Sequence, residues 1–167
     1  FIRYTMTSNS GEIWVLLLAP MLGMPLPLLP LHILWINLVT DGLPGLALSA
    51  EPAEKDVMQR RPRPPKESLF AHGMAAHILW VGLLIGGLTL ATQAWAWNSG
   101  LDEWQTMVFT VLVVAQLFHS LAIRSERYSL WSIGVFSNPA LVIAIAVTVL
   151  AQMAVIYLPF FNTVFQT

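Results

Sequence analysis

Apolar residues run along this chain in blocks longer than a soluble helix or strand uses, with the polar residues gathered into a few islands between them. No Asp, Glu, Lys or Arg occurs in residues 13–40, 68–101, 104–123 or 128–167. A helix rises about 1.5 Å per residue, so about 20 residues cross a hydrocarbon core of about 30 Å. The blocks predict an all-α, polytopic membrane helix bundle of about five transmembrane helices, at residues 2–22, 28–49, 72–97, 103–123 and 139–158. Residues 23–27 form a turn too short and apolar to leave the membrane surface, and Asn98-Ser99-Gly100 returns the third helix onto the fourth. The second helix should be interrupted at Gly42-Pro44, where glycine loosens the winding and proline leaves a carbonyl without its donor.

Composition removes the soluble alternatives. Of 167 residues, 56% are hydrophobic and 10% charged, against about 45–50% and about 25% in soluble domains. The net charge of −1 provides no basic face for nucleic acid, and the absence of cysteine excludes disulfide frameworks, thiolate metal sites and thiol nucleophiles. The chain opens on Phe1 without a charged leader and a cleavage site, so it reads as a fragment of something longer.

The eight Lys and Arg residues set the orientation. Arg3 stands at the start, Lys55, Arg60, Arg61, Arg63 and Lys66 between helices two and three, and Arg124 and Arg127 between helices four and five. All fall on one side of a five-helix bundle, which by the positive-inside rule is cytoplasmic. The N-terminus is then cytoplasmic and the C-terminus outside. Trp95, Trp97 and Trp104 mark the outer interface. Residues 50–71, with Pro52, Pro62, Pro64 and Pro65 among mixed charges, form an extended cytoplasmic loop, which on composition alone is a solvated linker.

Two carboxylates remain inside helices, Glu12 and Asp41. A charge at a membrane helix centre costs about 2.5–3.5 kcal/mol, so such residues default to function. At about 100° per residue, Asn9 lies about 60° from Glu12, and Asn37, Thr40 and Asp41 share an arc of about 100°, giving each helix one polar stripe. Carboxylates, amide oxygens and a hydroxyl without thiolate form a hard-oxygen donor set suited to calcium, magnesium, manganese or sodium. Two other readings compete. Asn9-Ser10-Gly11-Glu12 also fits a capping box, although a helix starting there and running to Met21 reaches only about 18 Å. Asp41-Gly42 could be an exposed turn between two short re-entrant helices. Gln116 and His119 form a third polar pair, which more often bonds a neighbouring helix than an ion.

Phe1-Ile2-Arg3-Tyr4, Ser8-Asn9-Ser10-Gly11-Glu12 and above all Asn37-Leu38-Val39-Thr40-Asp41-Gly42-Leu43-Pro44 resemble the P-type calcium-transporting ATPases, nearest to their sarco/endoplasmic-reticulum-like and bacterial branch. The likeness continues through Glu51-Pro52 and Arg61-Pro62-Arg63-Pro64-Pro65-Lys66-Glu67 to Gln116-Leu117-Phe118-His119-Ser120, and covers nearly the whole chain. It implies the family's fifth to ninth membrane helices, with Asn9, Glu12, Asn37, Thr40 and Asp41 at the positions of metal ligands and residues 50–71 as the loop coupling ATP use to ion occlusion. Gln116, a weaker candidate ligand, stands where two-site calcium pumps carry a glutamate.

The resemblance further implies export of Ca2+ from the cytoplasm across a bacterial plasma membrane, with protons returning. The partners it implies are lipid, a fourth and a tenth helix, and a cytoplasmic phosphorylation domain in the parent chain. ATP and Mg2+ belong to that parent alone. No Asp-Lys-Thr-Gly phosphorylation motif occurs here, so the fragment by itself should be inactive. A passive channel, an ion-coupled carrier or a pump for Mn2+ or Na+ would use similar stripes, but the inverted internal repeat of a carrier is not seen.

Overall fold

The computed structural model describes residues 1–51, 68, 70, 73–125 and 130–167. Among these there are helices and no strand. Helix α1 covers Ile2–Met21, α2 Pro30–Trp35 and α3 Gly42–Ser49, with a π-helical turn at Ile36–Thr40 between the last two. The rest are α4 Met74–Asn98, α5 Trp104–Ala122, the short α6 Leu130–Ile133, a 3-10 turn at Val135–Ser137, α7 Pro139–Tyr157 and α8 Pro159–Phe165. The expected coupling loop lies almost wholly outside the described residues, as do all the basic residues except Arg3 and Arg124.

Four stretches are long and apolar enough to cross a membrane: Pro30–Ser49, Met74–Asn98, Trp104–Ala122 and Pro139–Tyr157. The first expected span, α1, has the length at 20 residues but lower apolarity, because Thr5, Thr7, Ser8, Asn9, Ser10 and Glu12 fall within a few turns. The burial pattern is inverted relative to a soluble protein. Ser8, Glu12, Thr40, Asp41, Thr89, Gln93, Gln116, Thr148 and Gln152 are buried, whereas Ile13, Leu17, Trp80, Leu84, Leu88, Ile143 and Leu150 lie exposed. Lipid is the solvent in which apolar side chains outside and polar ones inside both lower the free energy.

The interruption of the second span falls one turn before Gly42-Pro44, where the sequence led us to expect it. Asp41 N–H donates to the Ile36 carbonyl at 2.8 Å, the wide i to i−5 bond of a π turn. Gly42 and Pro44 instead open α3, and proline in the first helical turn costs little because its N–H would have no partner there. Pro44 does leave the Thr40 carbonyl, four residues back, without its usual donor. The Tyr4 hydroxyl of α1 supplies one at 3.1 Å.

Helices α1 and α4 form the most extensive pairing, and small residues let their backbones meet. A Cβ added at Gly82 would lie 2.7 Å from Ser10 Cβ, and one at Gly86 would lie 2.9 Å from Trp14 Cβ. That contact includes Gly11, the residue before Glu12. At one end of the bundle Gln93 Nε2 donates to the Pro25 carbonyl at 2.7 Å, and Trp97 meets Trp104 edge to face at 5.3 Å. At the other, Arg3 and Arg124 line one cavity of about 200 Å³ with Phe1, Tyr4 and Glu51. The two described arginines therefore share an end, as the one-sided basic distribution predicts.

Substituting Gly82→Val should force α1 and α4 apart and cost about 1–3 kcal/mol. Gly87→Ala, where an added Cβ meets nothing within 4 Å, should be neutral. The thermal midpoint of the detergent-solubilised parent protein, followed by size-exclusion, distinguishes the two.

Candidate cation site

The polar stripe of α1 is Tyr4, Ser8 and Glu12, spaced four residues apart so that all three point the same way; each is buried. Helix α1 runs unbroken from Ile2 to Met21, so Asn9 and Glu12 are mid-helix residues and not a capping box. Opposite stands the π turn. Asn37 Nδ2 donates to Glu12 Oε2 at 3.1 Å and to the Ile33 carbonyl at 2.9 Å. From a third direction, Gln116 Nε2 on α5 donates to Glu12 Oε1 at 3.1 Å. Each oxygen of one buried carboxylate thus accepts from an amide on a different helix.

Asp41 is 4% exposed and is no surface turn. Its carboxyl interacts electrostatically with Glu12 and stands beside the Tyr4 and Ser8 hydroxyls, yet neither of its oxygens has a hydrogen-bond partner among the described residues. The same is true of Ser8 Oγ, Thr40 Oγ1 and Gln116 Oε1. An unsatisfied buried polar group costs about 1–3 kcal/mol, and more if charged. Five such oxygens stand around the junction of α1, the π turn and α5, and oxygens are the ligand type that hard cations take. Among the described residues no group of three or more His, Cys, Asp or Glu is placed to hold a metal ion.

Of the residues singled out from the sequence, Glu12, Asn37 and Gln116 are joined by hydrogen bonds, while Thr40 and Asp41 are buried beside them. Asn9 does not join them. It is half-buried and its side chain makes no hydrogen bond among the described residues. Gln116 enters as a donor to Glu12, not as a free oxygen alone. Sequence reasoning missed Ser8 and Tyr4. Their one signal was the spacing of four that they share with Glu12, and a serine and a tyrosine on a helix face seldom stand out.

A family model described as "Cation transporting ATPase, C-terminus" matches residues 25–167. The chain belongs to that family. Its membrane helices are the C-terminal region of a P-type ATPase. Over its whole length it is 44% identical to the calcium-transporting ATPase of Bacillus subtilis, of which it covers 19%. Over 95% of its length it is 40% identical to calcium-transporting ATPase 1 of Bacillus cereus, covering 20%. Over its whole length it is 37% identical to the probable cation-transporting ATPase F of Mycobacterium bovis, covering 19%. The ATPase region described here therefore spans about a fifth of the length of the curated relatives it matches.

Removing the Tyr4 hydroxyl strips the Thr40 carbonyl of the donor that replaces the missing Pro44 N–H. In the full-length ATPase, Tyr4→Phe should weaken cation binding severalfold, because a lost hydrogen bond of about 1 kcal/mol loosens the π turn beside Asp41. A calcium binding isotherm reads this directly, and Thr5→Val, which deletes a hydroxyl elsewhere on α1, is the control.

Proposed function

We propose that this region is the ion-binding membrane part of an ATP-driven pump that exports Ca2+ from the cytoplasm, with protons returning in exchange. The observation that carries the reading is the buried Glu12 carboxylate, held by Asn37 and Gln116 beside an Asp41 whose oxygens have no partner among the described residues. A divalent cation of the hard class supplies what those oxygens lack. The names of the Bacillus relatives favour calcium over manganese or sodium.

Calcium takes six to eight oxygens, more than the five unpartnered ones provide. Further ligands then come from an additional helix, and Asn37, whose residue is exposed, marks the open side of the pocket on which that helix stands. The phosphorylation domain and ATP and Mg2+ sites reside elsewhere in the parent chain, and the region alone is inactive. In this reading five helices cross a bacterial plasma membrane, α1 included, with Arg3 and Arg124 at the cytoplasmic end and Asn9 turned toward an ion ligand position when the cation is bound.

Gln116 sets the stoichiometry. A glutamine offers a neutral carbonyl oxygen where a glutamate offers charge and two oxygens, and here its amide nitrogen is already engaged with Glu12. Only the half of the pocket around Asp41 keeps a full negative charge free for the ion, so one calcium moves per cycle.

Calcium occluded per phosphorylated full-length pump should be near one, rising toward two in Gln116→Glu. Asp41→Asn should abolish calcium-dependent phosphorylation. A wild-type count near two refutes the one-ion reading, and an Asp41→Asn pump indistinguishable from wild type refutes the site.

A further inference from the structure

The end of the bundle that carries Arg3 and Arg124 holds a hydrogen-bonded node that the cation pocket does not account for. Arg124, just past the end of α5, has a side chain only 1% exposed. Its Nε donates to Glu51 Oε1 and Oε2 at 3.1 and 3.2 Å. Nη2 donates to Glu51 Oε1 and to Ser137 Oγ, both at 2.6 Å. Nη1 donates to the Gly134 and Val135 carbonyls at 2.9 and 3.2 Å. Every nitrogen of the guanidinium is occupied.

Asn138 completes the node. Its Nδ2 donates to Glu51 Oε2 and to the Ala47 carbonyl, at 2.5 and 3.2 Å, and its Oδ1 caps α7 by accepting from Leu141 N–H at 3.0 Å. Three chain segments are fastened at one point: the end of α3, the end of α5 and the start of α7. Apolar packing would hold three helix ends together without burying an ion pair. What a fully bonded, directional ion pair adds is register.

The register in question is that of the pocket. Asp41 lies ten residues before Glu51 along α3, and Gln116 lies eight before Arg124 along α5, about 15 and about 12 Å away at 1.5 Å per residue. A helix is stiff along its axis, so the level at which Glu51 meets Arg124 fixes the level at which Asp41 faces the Gln116–Glu12 pair. Tyr4, which holds the Thr40 carbonyl, also lines a cavity of about 200 Å³ with Glu51 and Arg124, so one side chain of α1 borders both node and pocket.

We propose that the Glu51–Arg124–Asn138 node is a positioning device for the cation pocket, which sets α3 in register with α5 so that Asp41 and the Gln116-held Glu12 stand at one depth. The proposal rests on the pump reading above.

The test uses the full-length pump with Glu51→Gln, Arg124→Gln, the double variant and Arg124→Lys. Two quantities are measured: the calcium concentration for half-maximal phosphorylation by ATP, and the calcium-free phosphorylation by inorganic phosphate. Each single variant should need about tenfold more calcium, and the double should be no worse than the poorer single. Arg124→Lys, with a point charge in place of the fork, should fall between. Phosphorylation by phosphate should be retained, which a general loss of structure would not allow. Half-maximal calcium within about twofold of wild type in both single variants overturns the proposal, as does parallel loss of both reactions in Glu51→Gln. A wild-type pump with no calcium-dependent phosphorylation overturns the pump reading and this one with it.

Discussion

A carboxylate buried among helices whose outer faces are apolar is costly until its oxygens find partners, and the way one such carboxylate finds them organises this bundle. Glu12 does so by accepting from Asn37 and Gln116, which draws α1, the broken second span and α5 to a single point. Close approach is possible because Gly82 and Gly86 let α4 lie against the back of α1. Asp41 finds no such partner among the described residues. The contrast between one satisfied and one unsatisfied carboxylate in the same pocket is the chemical asymmetry of the site.

Lipid tails are as apolar as leucine, so helices in a membrane gain little by hiding apolar surface from one another, and specificity comes from packing and polar contacts. Here those contacts occupy three levels. At one end His32 Nε2 donates to the Phe165 carbonyl at 2.8 Å while its Nδ1 accepts from Leu29 N–H, and Trp35 donates to Gln152 at 3.0 Å. In the middle lie Tyr4, Glu12, Asn37 and Gln116. At the other end Arg124 binds Glu51 and the turn before α7. Polar contacts of this kind are worth about 0.6 kcal/mol each on average in membrane bundles. Their role is to choose one arrangement among many of similar packing energy.

The helices were largely legible in the sequence because the signal there is length without charge, which no neighbouring helix can override. Residues 103–123 and 139–158 lie within a residue of the observed α5 and α7 ends. Glu12, Asn37, Asp41 and Gln116 were legible as candidates for a related reason: a charged or amide side chain in an apolar run needs an explanation. The position of the break was less so. Gly42 and Pro44 are read locally as breakers, but whether they end one helix or begin the next depends on a donor for the Thr40 carbonyl, and that donor, Tyr4, is 36 residues away in sequence. Asn9, about 60° from Glu12 around the helix, takes no part in the hydrogen bonds that its neighbour makes. The node at Arg124 was invisible because in sequence its members look like ordinary topology-setting charge and loop polarity.

The π turn at Ile36–Thr40 has a consequence for how one span can serve two sets of neighbours. A uniform α-helix presents a single stripe along its length, so both halves would face the same partners. One wide turn advances the phase between the halves, like a screw thread cut and rejoined out of step. Above the turn, His32 and Trp35 address α8 and α7; at and just below it, Thr40 and Asp41 address α1, while α3 beyond them packs again on α7. Deleting a single residue within the turn would restore the common thread and rotate one set of contacts away from its partners. The extra residue is therefore an indexing element, and its worth lies in the angle it inserts, not in any atom it contributes.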